Sequence, residues 1–308
     1  MVYHESVLLR ESVGLLGVLP GGTYVDATFG GGGHSRLILE NMGGKGQLLA
    51  FDQDADAMQN TQQPVFSSAR NFIFIQSNFR HLKRQLRAEG VKTGSVQGIL
   101  ADLGVSSHQL DTAERGFSYR FEAGLDMRMN TQNGPTAAEV LNKYSVDALQ
   151  RVFSELGEVR NSKTLAQAVV NSRQQALFRT TGDLVELCVQ HLMGERMRYL
   201  SQVFQALRME VNDELGALED FLKDAYEMLA PGGRLAVITF HSQEDRMVKN
   251  YMKAGNIEGE QIKDFYGNIE RPWELVTKKP VVPGAEESAK NARARSSKLR
   301  VAAKRSAD

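Results

Sequence analysis

The sequence has very little cysteine, no excess of charge of either sign and no long apolar run. Cys188 is the single cysteine among 308 residues, so neither an intramolecular disulfide nor a cysteine-based zinc site can form. Basic residues number 37 and acidic residues also number 37, so any basic surface must be local. No run is long enough for a membrane-spanning helix, and residues 1–10 lack the pattern of a signal peptide. We therefore expect a cytoplasmic protein that does not contact the membrane.

Short apolar runs alternate with amphipathic stretches along much of the chain, as they do in repeated β-strand and α-helix units. The runs that predict strands are residues 23–28, 47–52, 71–76, 97–102 and 234–240. The stretches that predict helices between them are 36–41, with Ser35 as the N-cap, 54–62, 80–89 and 203–229. Because the strand runs are almost continuously apolar, they are typical of a parallel sheet that is buried on both faces.

The strand pattern stops near residue 110 and resumes only after about residue 200, and helical spacing dominates in between. The fifth strand alone would have too little sheet around it, so an interrupted domain explains the order better than two consecutive domains. We predict an α/β domain formed by residues 1–109 and 205–308, with an all-helical insertion at 110–204.

Four consecutive glycines, residues 30–33, follow the first strand and precede a helix. Glycines let the backbone approach a ligand closely, and parallel sheets bind ligands outside the carboxyl ends of their strands. Asp52 ends the second strand, at a spacing from which an aspartate can accept hydrogen bonds from both hydroxyls of a ribose. The pair predicts an adenosine-containing cofactor. The alternative is a tight packing turn beside an aspartate that caps a helix.

The surroundings of the glycine loop indicate which cofactor it is. Ser35 stands where the dinucleotide-binding pattern G-x-G-x-x-G needs its third glycine, and a phosphate loop of the G-x-x-x-x-G-K-[ST] type is absent. Phe79 follows the third strand, where an adenine ring could lie, although an isolated phenylalanine is more often part of a core. The turn at residues 230–233 is often seen before the fifth strand of class I methyltransferases. These features favour S-adenosylmethionine over NAD.

The fourth strand ends in the sequence DLGVSS, residues 102–107. Amino-methyltransferases commonly carry a [D/N/S]-P-P-aromatic tetrad at this position, whose oxygens accept hydrogen bonds from the target amino group. Such acceptors localise the lone pair of a conjugated amine and align it with the methyl group. Asp102 and the Gly104 carbonyl are candidates for this role, although the prolines and the aromatic residue are missing. The alternative for Asp102 is an aspartate that caps a helix or contacts the cofactor.

Several further segments resemble those of the bacterial 16S ribosomal RNA cytosine-N4 methyltransferase family. They are HESVLL (4–9), TFGGGGHS (28–35), DLGVSSHQLD (102–111), AERGFS (113–118), LDMRM (125–129), FQALR (204–208), VN (211–212), FHSQEDR (240–246) and ARSS (294–297). The resemblance covers almost the whole chain and implies a class I, Rossmann-like methyltransferase fold with a mostly parallel sheet. It also implies a cytosine in the decoding region of 16S rRNA, within the small ribosomal subunit, as substrate. The cofactor contacts that it implies are Gly32, Gly33, His34, Asp52, Phe79, Asp102 and Gln109.

Two side chains outside the glycine loop are candidate RNA contacts. His241 follows the fifth strand at the ligand-binding edge, where it can contact a base, and a structural role is the alternative. Arg128 either forms an ion pair with Asp126 or binds a phosphate group.

Residues 290–305 are compositionally distinct, since they include seven basic residues and no acidic one. Arg293 and Arg295 in this stretch are candidate substrate contacts. The stretch is either a solvated edge strand with a basic tail or an arm that contacts phosphates.

We therefore predict a methyltransferase that moves a methyl group from S-adenosylmethionine to N4 of a cytosine in 16S rRNA, with Asp102 as the catalytic residue and without a metal ion. One alternative is an NAD-dependent oxidoreductase, which is disfavoured because Ser35 replaces the third glycine of the dinucleotide-binding pattern. The other alternative is a non-catalytic ribosome-assembly factor, which is disfavoured because the glycine loop, Asp52 and Asp102 are all present. The sequence does not determine the oligomeric state.

Overall fold

The computed structural model of the chain describes residues 6–263, 267, 269 and 271–306. His4 and Glu5 of the N-terminal motif lie outside these residues. The chain divides into two compact units, which we call the sheet unit (Met1–Gly104 and Leu215–Asp308) and the helical unit (Val105–Glu214). That the helical unit recognises RNA stays a prediction.

The described part of the sheet unit contains a seven-stranded sheet with the order β3-β2-β1-β4-β5-β7-β6. The strands are β1 (Thr23–Asp26), β2 (Gln47–Asp52), β3 (Phe72–Gln76), β4 (Val96–Asp102), β5 (Leu229–Thr239), β6 (Trp273–Leu275) and β7 (Lys298–Lys304). β1 to β5 are parallel, whereas β7 is antiparallel to both β5 and β6. The predicted Rossmann-like α/β fold with a mostly parallel sheet is therefore confirmed.

Burial of the sheet on both faces explains its continuous apolar strands. Along β2, Leu48 and Ala50 pack into one core, whereas Leu49 and Phe51 pack into another, because successive side chains point to opposite faces. All four are fully buried. A fully buried large apolar side chain contributes about 1.5–3 kcal/mol to stability, so each position on these strands favours an apolar residue.

The helices are α1 (Leu9–Leu16), α2 (Gly33–Met42), α3 (Pro64–Ser67), α4 (Leu82–Ala88), α5 (Ser107–Asp111), α6 (Ala137–Lys143), α7 (Val146–Arg151), α8 (Ser162–Ser172), α9 (Thr181–Gln190), α10 (Arg196–Asn212), α11 (Glu214–Met228), α12 (Ser242–Ala254) and α13 (Ala285–Lys290). Short 3-10 helices lie at Ala55–Gln62, Phe79–His81, Ala113–Arg115 and Ala292–Ser296, and a π-helical turn lies at Val152–Leu156. In the helical unit, Phe153, Leu200 and Leu207 belong to one shared core. Within the described ranges, no helix is both long and apolar enough to cross a membrane.

Two predictions about the helices are wrong. Ser35 does not cap α2, which begins at Gly33; its hydroxyl group donates instead to Asp26 Oδ2 at 2.6 Å. The single helix expected over 203–229 is two helices, since Asp213 between α10 and α11 adopts a left-handed φ of 46°. Ser35 does not cap the helix because the buried Asp26 carboxylate accepts its hydroxyl group. The helix over 203–229 is divided because the left-handed backbone at Asp213 interrupts helical hydrogen bonding.

The basic stretch near the C-terminus is not a solvated edge strand, because β7 lies between β5 and β6 in the sheet. Arg300 donates to both carboxylate oxygens of Asp245, at 2.7 and 3.1 Å, and Lys298 Nζ donates to the same group at 3.3 Å. Lys304 Nζ donates to the carbonyls of Tyr226 and Leu229 at 2.7 and 2.9 Å. These three basic side chains therefore stabilise the sheet unit internally.

Candidate functional site

Three aspartates end three neighbouring strands of the sheet. Asp26, Asp52 and Asp102 are the last residues of β1, β2 and β4, which are adjacent and parallel. Because the carboxyl ends of parallel strands meet at one edge, the three side chains share the edge where such sheets bind ligands.

The glycine loop after β1 is held to this edge by polar contacts. The Gly30 N–H donates to Asp52 Oδ2 at 2.8 Å, and Asn60 Nδ2 donates to the Gly30 carbonyl at 2.8 Å. Local packing explains two of the glycines, since a Cβ would lie 2.6 Å from the Phe66 ring at Gly32 and 2.1 Å from Ser6 Oγ at Gly33. A larger residue at Gly32 would therefore press on the Phe66 ring and need a strained φ of 79°, and one at Gly33 would require Ser6 Oγ to move.

Asp52 retains hydrogen-bonding capacity for a ligand. Its Oδ1 accepts the Asp54 N–H at 2.9 Å and its Oδ2 accepts the Gly30 N–H at 2.8 Å. Burial raises the pKa of Asp52 to about 6, although these two backbone donors favour the ionised form. Since each carboxylate oxygen has two lone pairs, one remains on each oxygen for a hydroxyl group such as those of a ribose.

Asp102 accepts no hydrogen bond through its carboxyl group from the residues that the structure describes. Its backbone N–H donates to Thr28 Oγ1 at 2.7 Å, which fixes the end of β4 beside the glycine loop. Its buried Oδ1 has no partner, and its Oδ2 lies 3.9 Å from His34 Nδ1. The side chain is 22% exposed, so a bound ligand can reach it. Since buried polar atoms are normally hydrogen-bonded, this oxygen can accept a hydrogen bond from an N–H donor of a ligand.

Charge around Asp102 opposes its ionisation. Burial, followed by the negative charges of Asp26, Glu244 and Glu287, raises the pKa of Asp102 well above its ordinary value. Asp102 is therefore a stronger base when ionised than an exposed aspartate.

His34 is the second residue of α2, and its ring is buried behind the glycine loop. Its Nε2 lies 3.2 Å from the Val7 carbonyl, an arrangement that assigns the proton to this nitrogen. Burial lowers the pKa of His34, and the charge of Asp26 opposes that effect. We infer a neutral imidazole whose unprotonated Nδ1 faces Asp102.

Two other predicted cofactor contacts lie in different surroundings. The Phe79 ring packs edge-to-face on Phe221, with 5.2 Å between the ring centroids, immediately after β3. Gln109 belongs to the helical unit, where it and Ser106 form a reciprocal capping box at the start of α5. Cofactor contacts by Phe79 and Gln109 stay predictions.

The predicted RNA-contacting side chains all have intramolecular partners. His241 is the N-cap of α12, and its Nε2 lies 3.0 Å from Glu244 Oε1. Arg128 Nε and Nη2 donate to Asp126 at 2.8 Å each, so the ion pair that the sequence left open is formed. RNA contacts by these residues stay predictions.

Arg293 and Arg295 lie in the short 3-10 helix Ala292–Ser296. Arg295 is exposed, and its Nε donates to the Ser288 carbonyl at 3.2 Å. A role for either arginine in phosphate binding stays a prediction.

Sequence reasoning missed three residues around this site. Asp26 is fully buried and accepts the Thr28 N–H and the Ser35 hydroxyl group; its position at a strand end could have revealed it. Asn60 contacts the glycine loop and Glu287 contacts Leu8, but neither lies in a sequence motif that indicates such a contact. Glu287 Oε1 accepts the Leu8 N–H at 2.7 Å across 279 positions of sequence.

Comparisons with a family model and with individual known proteins indicate the same family. The model of the MraW methylase family matches residues 1–305. A protein from Phocaeicola vulgatus, named Ribosomal RNA small subunit methyltransferase H, is 52% identical over 306 residues, which cover 99% of this chain and 98% of that protein. Proteins of the same name from Parabacteroides distasonis and Flavobacterium johnsoniae are 50% and 48% identical, with coverage of 97% or more of every chain. These matches confirm the resemblance that the sequence motifs indicated. Because they extend over almost the entire length, this chain is a member of the MraW methylase family.

Proposed function

We propose that this chain transfers a methyl group from S-adenosylmethionine to the N4 amino group of a cytosine in 16S rRNA. Membership of a methylase family supports the enzyme class and the donor, and the name of the relatives supports small-subunit rRNA as substrate. The observation that carries the proposal is the Asp102 carboxyl group, which lacks a donor among the described residues at the ligand-binding edge. A substrate in the small ribosomal subunit also supports a cytoplasmic location.

The residues at the strand ends fit the proposed donor. When bound, S-adenosylmethionine supplies an electrophilic methyl group on a sulfonium centre. Asp52 would accept the ribose hydroxyls through the lone pairs that Gly30 and Asp54 leave free. Phe79 would flank the adenine ring, and the backbone of glycines 30–33 would contact the methionine portion.

Asp102 would act on the second substrate, the cytosine amino group. The amine is a poor nucleophile because its lone pair is delocalised into the ring. When a carboxylate oxygen accepts one N–H, it localises that lone pair and directs it at the methyl group. The Gly104 carbonyl, on the residue two positions after Asp102, is the second candidate acceptor. The raised pKa of Asp102 makes it ionise at higher pH than an ordinary aspartate, so activity should rise with pH.

Recognition of RNA is proposed for the helical unit and for the basic residues near the C-terminus. Arg128 could bind a phosphate only through its remaining N–H groups, since Nε and Nη2 are bonded to Asp126. His241, Arg293 and Arg295 are further candidates. A cytosine that is stacked or paired would have to leave its helix before its amino group could reach Asp102.

Methyl transfer and cofactor binding can be tested together. We expect calorimetry to show binding of S-adenosylmethionine and not of NADH, which separates the proposal from the oxidoreductase alternative. With small-subunit rRNA as acceptor, we expect Asp102→Asn to lower the rate of methyl transfer about 100-fold or more, by the loss of one preorganised group. A wild-type rate in the Asp102→Asn variant would reject the proposed role of Asp102.

A further inference from the structure

A chain of contacts joins Glu287 on α13 to Asp102 at the end of β4. Glu287 Oε1 accepts the Leu8 N–H at 2.7 Å. The preceding carbonyl, of Val7, accepts a hydrogen bond from His34 Nε2 at 3.2 Å. His34 Nδ1 then lies 3.9 Å from Asp102 Oδ2. The N-terminal segment at residues 6–8 is thus fixed between the glycine loop and α13.

The backbone at Leu8 is strained, with φ 49° and ψ 35° in the left-handed region. A residue other than glycine keeps this conformation only where its surroundings hold it, and such residues concentrate at functional sites. Two features hold Leu8, namely a side chain that is only 1% exposed and the hydrogen bond to Glu287. The carboxylate of Glu287 therefore helps to determine where the Val7 carbonyl lies.

The Val7 carbonyl matters because it determines which nitrogen of His34 carries the proton. With the proton on Nε2, the Nδ1 that faces Asp102 has a lone pair and cannot donate to it. The Asp102 carboxyl group then stays free of a protein donor and available to a ligand N–H.

Glu287 also contributes charge. The His34 ring on α2 lies 3.9 Å from Asp102, and the negative charges that act on Asp102 are those of Asp26 on β1, Glu244 on α12 and Glu287 on α13. Each of the three carboxylates disfavours the ionised form of Asp102, and removal of one should make Asp102 easier to ionise.

We propose that Glu287 is a positioning residue for methyl transfer, which holds residues 6–8 against the glycine loop and thereby fixes His34 beside Asp102. This inference rests on the proposed function. A purely structural role, in which Glu287 only tethers the N-terminal segment, would leave both the tautomer of His34 and the ionisation of Asp102 unchanged.

Two substitutions separate these roles. Glu287→Gln keeps an oxygen that can accept the Leu8 N–H and removes the charge, whereas Glu287→Ala removes both. Glu286→Gln is the matched control, since Glu286 is the neighbouring residue on α13, its side chain is 83% exposed and it pairs with Lys290.

The first measurement needs no methyl transfer. In ligand-free protein labelled with ¹⁵N-histidine, the His34 signal, assigned with His34→Asn, should show one tautomer protonated at Nε2. We expect Glu287→Ala to give a mixture of tautomers, and Glu287→Gln and Glu286→Gln to keep the wild-type signal. A Glu287→Ala spectrum identical to wild type would overturn the proposal, whether or not the protein proves to be a methyltransferase.

The second measurement is the pH dependence of kcat for methyl transfer. We expect the acidic limb of Glu287→Gln to move by at least 0.5 unit to lower pH, with donor affinity within about twofold of wild type. Glu287→Ala should lower kcat at least tenfold and change KM for the donor less. A wild-type kcat in Glu287→Ala would overturn the proposal, and an unshifted limb in Glu287→Gln, or an equal shift in Glu286→Gln, would contradict the charge contribution of Glu287. Absence of methyl transfer by the wild type would reject the proposed function instead.

Discussion

Asp52→Asn should weaken binding of S-adenosylmethionine strongly. The carboxylate holds the glycine loop through Gly30 and, in our proposal, accepts both ribose hydroxyls. Asparagine has one acceptor oxygen, so the substitution removes one acceptor and the negative charge. A hydrogen bond to a charged group contributes about 1.5–3 kcal/mol, so the loss of one such bond and the weakening of the other, now to a neutral oxygen, cost about 3 kcal/mol together. This corresponds to a Kd about 100-fold higher.

The same site predicts a pH dependence of donor binding. The pKa of Asp52 is about 6 in the free protein because the group is buried, and hydroxyl donors favour its ionised form. Donor affinity should therefore be constant above pH 6. Below it, affinity should fall by up to about tenfold for each pH unit, because the proton must leave before the donor binds. In Asp52→Asn this dependence should disappear.

Calorimetric titration between pH 5 and 8 measures both effects. Glu40→Gln is the control, because Glu40 is an exposed residue on α2 and its substitution removes one negative charge, as Asp52→Asn does. The reasoning is refuted if Asp52→Asn binds the donor within twofold of wild type. Equal affinities of the wild type for the donor at pH 5 and pH 7 would refute only the predicted pH dependence.

Two further predictions concern stability. Asn212 bonds the Met127 carbonyl and the Met129 N–H at 2.8 Å each, so Asn212→Ala should lower the free energy of unfolding by about 2 kcal/mol in urea denaturation. Although burial opposes it, Arg300 holds the pKa of Asp245 below its ordinary value. Because the folded-state pKa is lowered, the ion pair stabilises the protein above pH 4, and this stabilisation is lost as the pH falls through the folded-state pKa. Asp245→Asn should therefore lower the free energy of unfolding by about 3 kcal/mol at pH 7 and by less at pH 3.

Substitutions of the same kind at exposed positions serve as controls. Asn171→Ala removes an exposed asparagine of the helical unit and should change stability by less than about 0.5 kcal/mol. Asp220→Asn breaks an ion pair with Arg80 at the surface of the sheet unit, where the Asp220 side chain is 49% exposed, and a similarly small change is expected. If Asn212→Ala is as mild as Asn171→Ala, the two backbone contacts contribute little. A cost of Asp245→Asn that is independent of pH would contradict its assignment to an ion pair.

Local sequence pattern was sufficient where one short segment determines the structure. The strand at residues 47–52 was predicted to the residue, because a continuous apolar run ends there in a polar Asp52. Asp52 and Asp102 were identifiable as site candidates for the same reason, since each ends such a run. The three-residue β6 strand was not predicted, because its short run gives no periodicity.

Long-range contacts explain what the sequence could not reveal. A serine at the start of a helix usually caps it, yet the hydroxyl group of Ser35 is taken by Asp26, a residue of the preceding strand. The contact between Glu287 and Leu8 joins residues near the two ends of the chain. The local sequence around either residue gives no sign of this contact, so it could not be predicted and is seen only in the folded structure.

The identity of the methylated nucleoside tests the central claim most directly. Unmodified small-subunit rRNA, free and within small ribosomal subunits, would be incubated with the protein and S-adenosylmethionine that carries a labelled methyl group. The RNA would then be digested and its nucleosides identified by mass spectrometry. We expect label in N4-methylcytidine from a single position, and labelling about 100-fold slower with Asp102→Asn. Label on another base, at another atom of cytidine or only on protein would contradict the account.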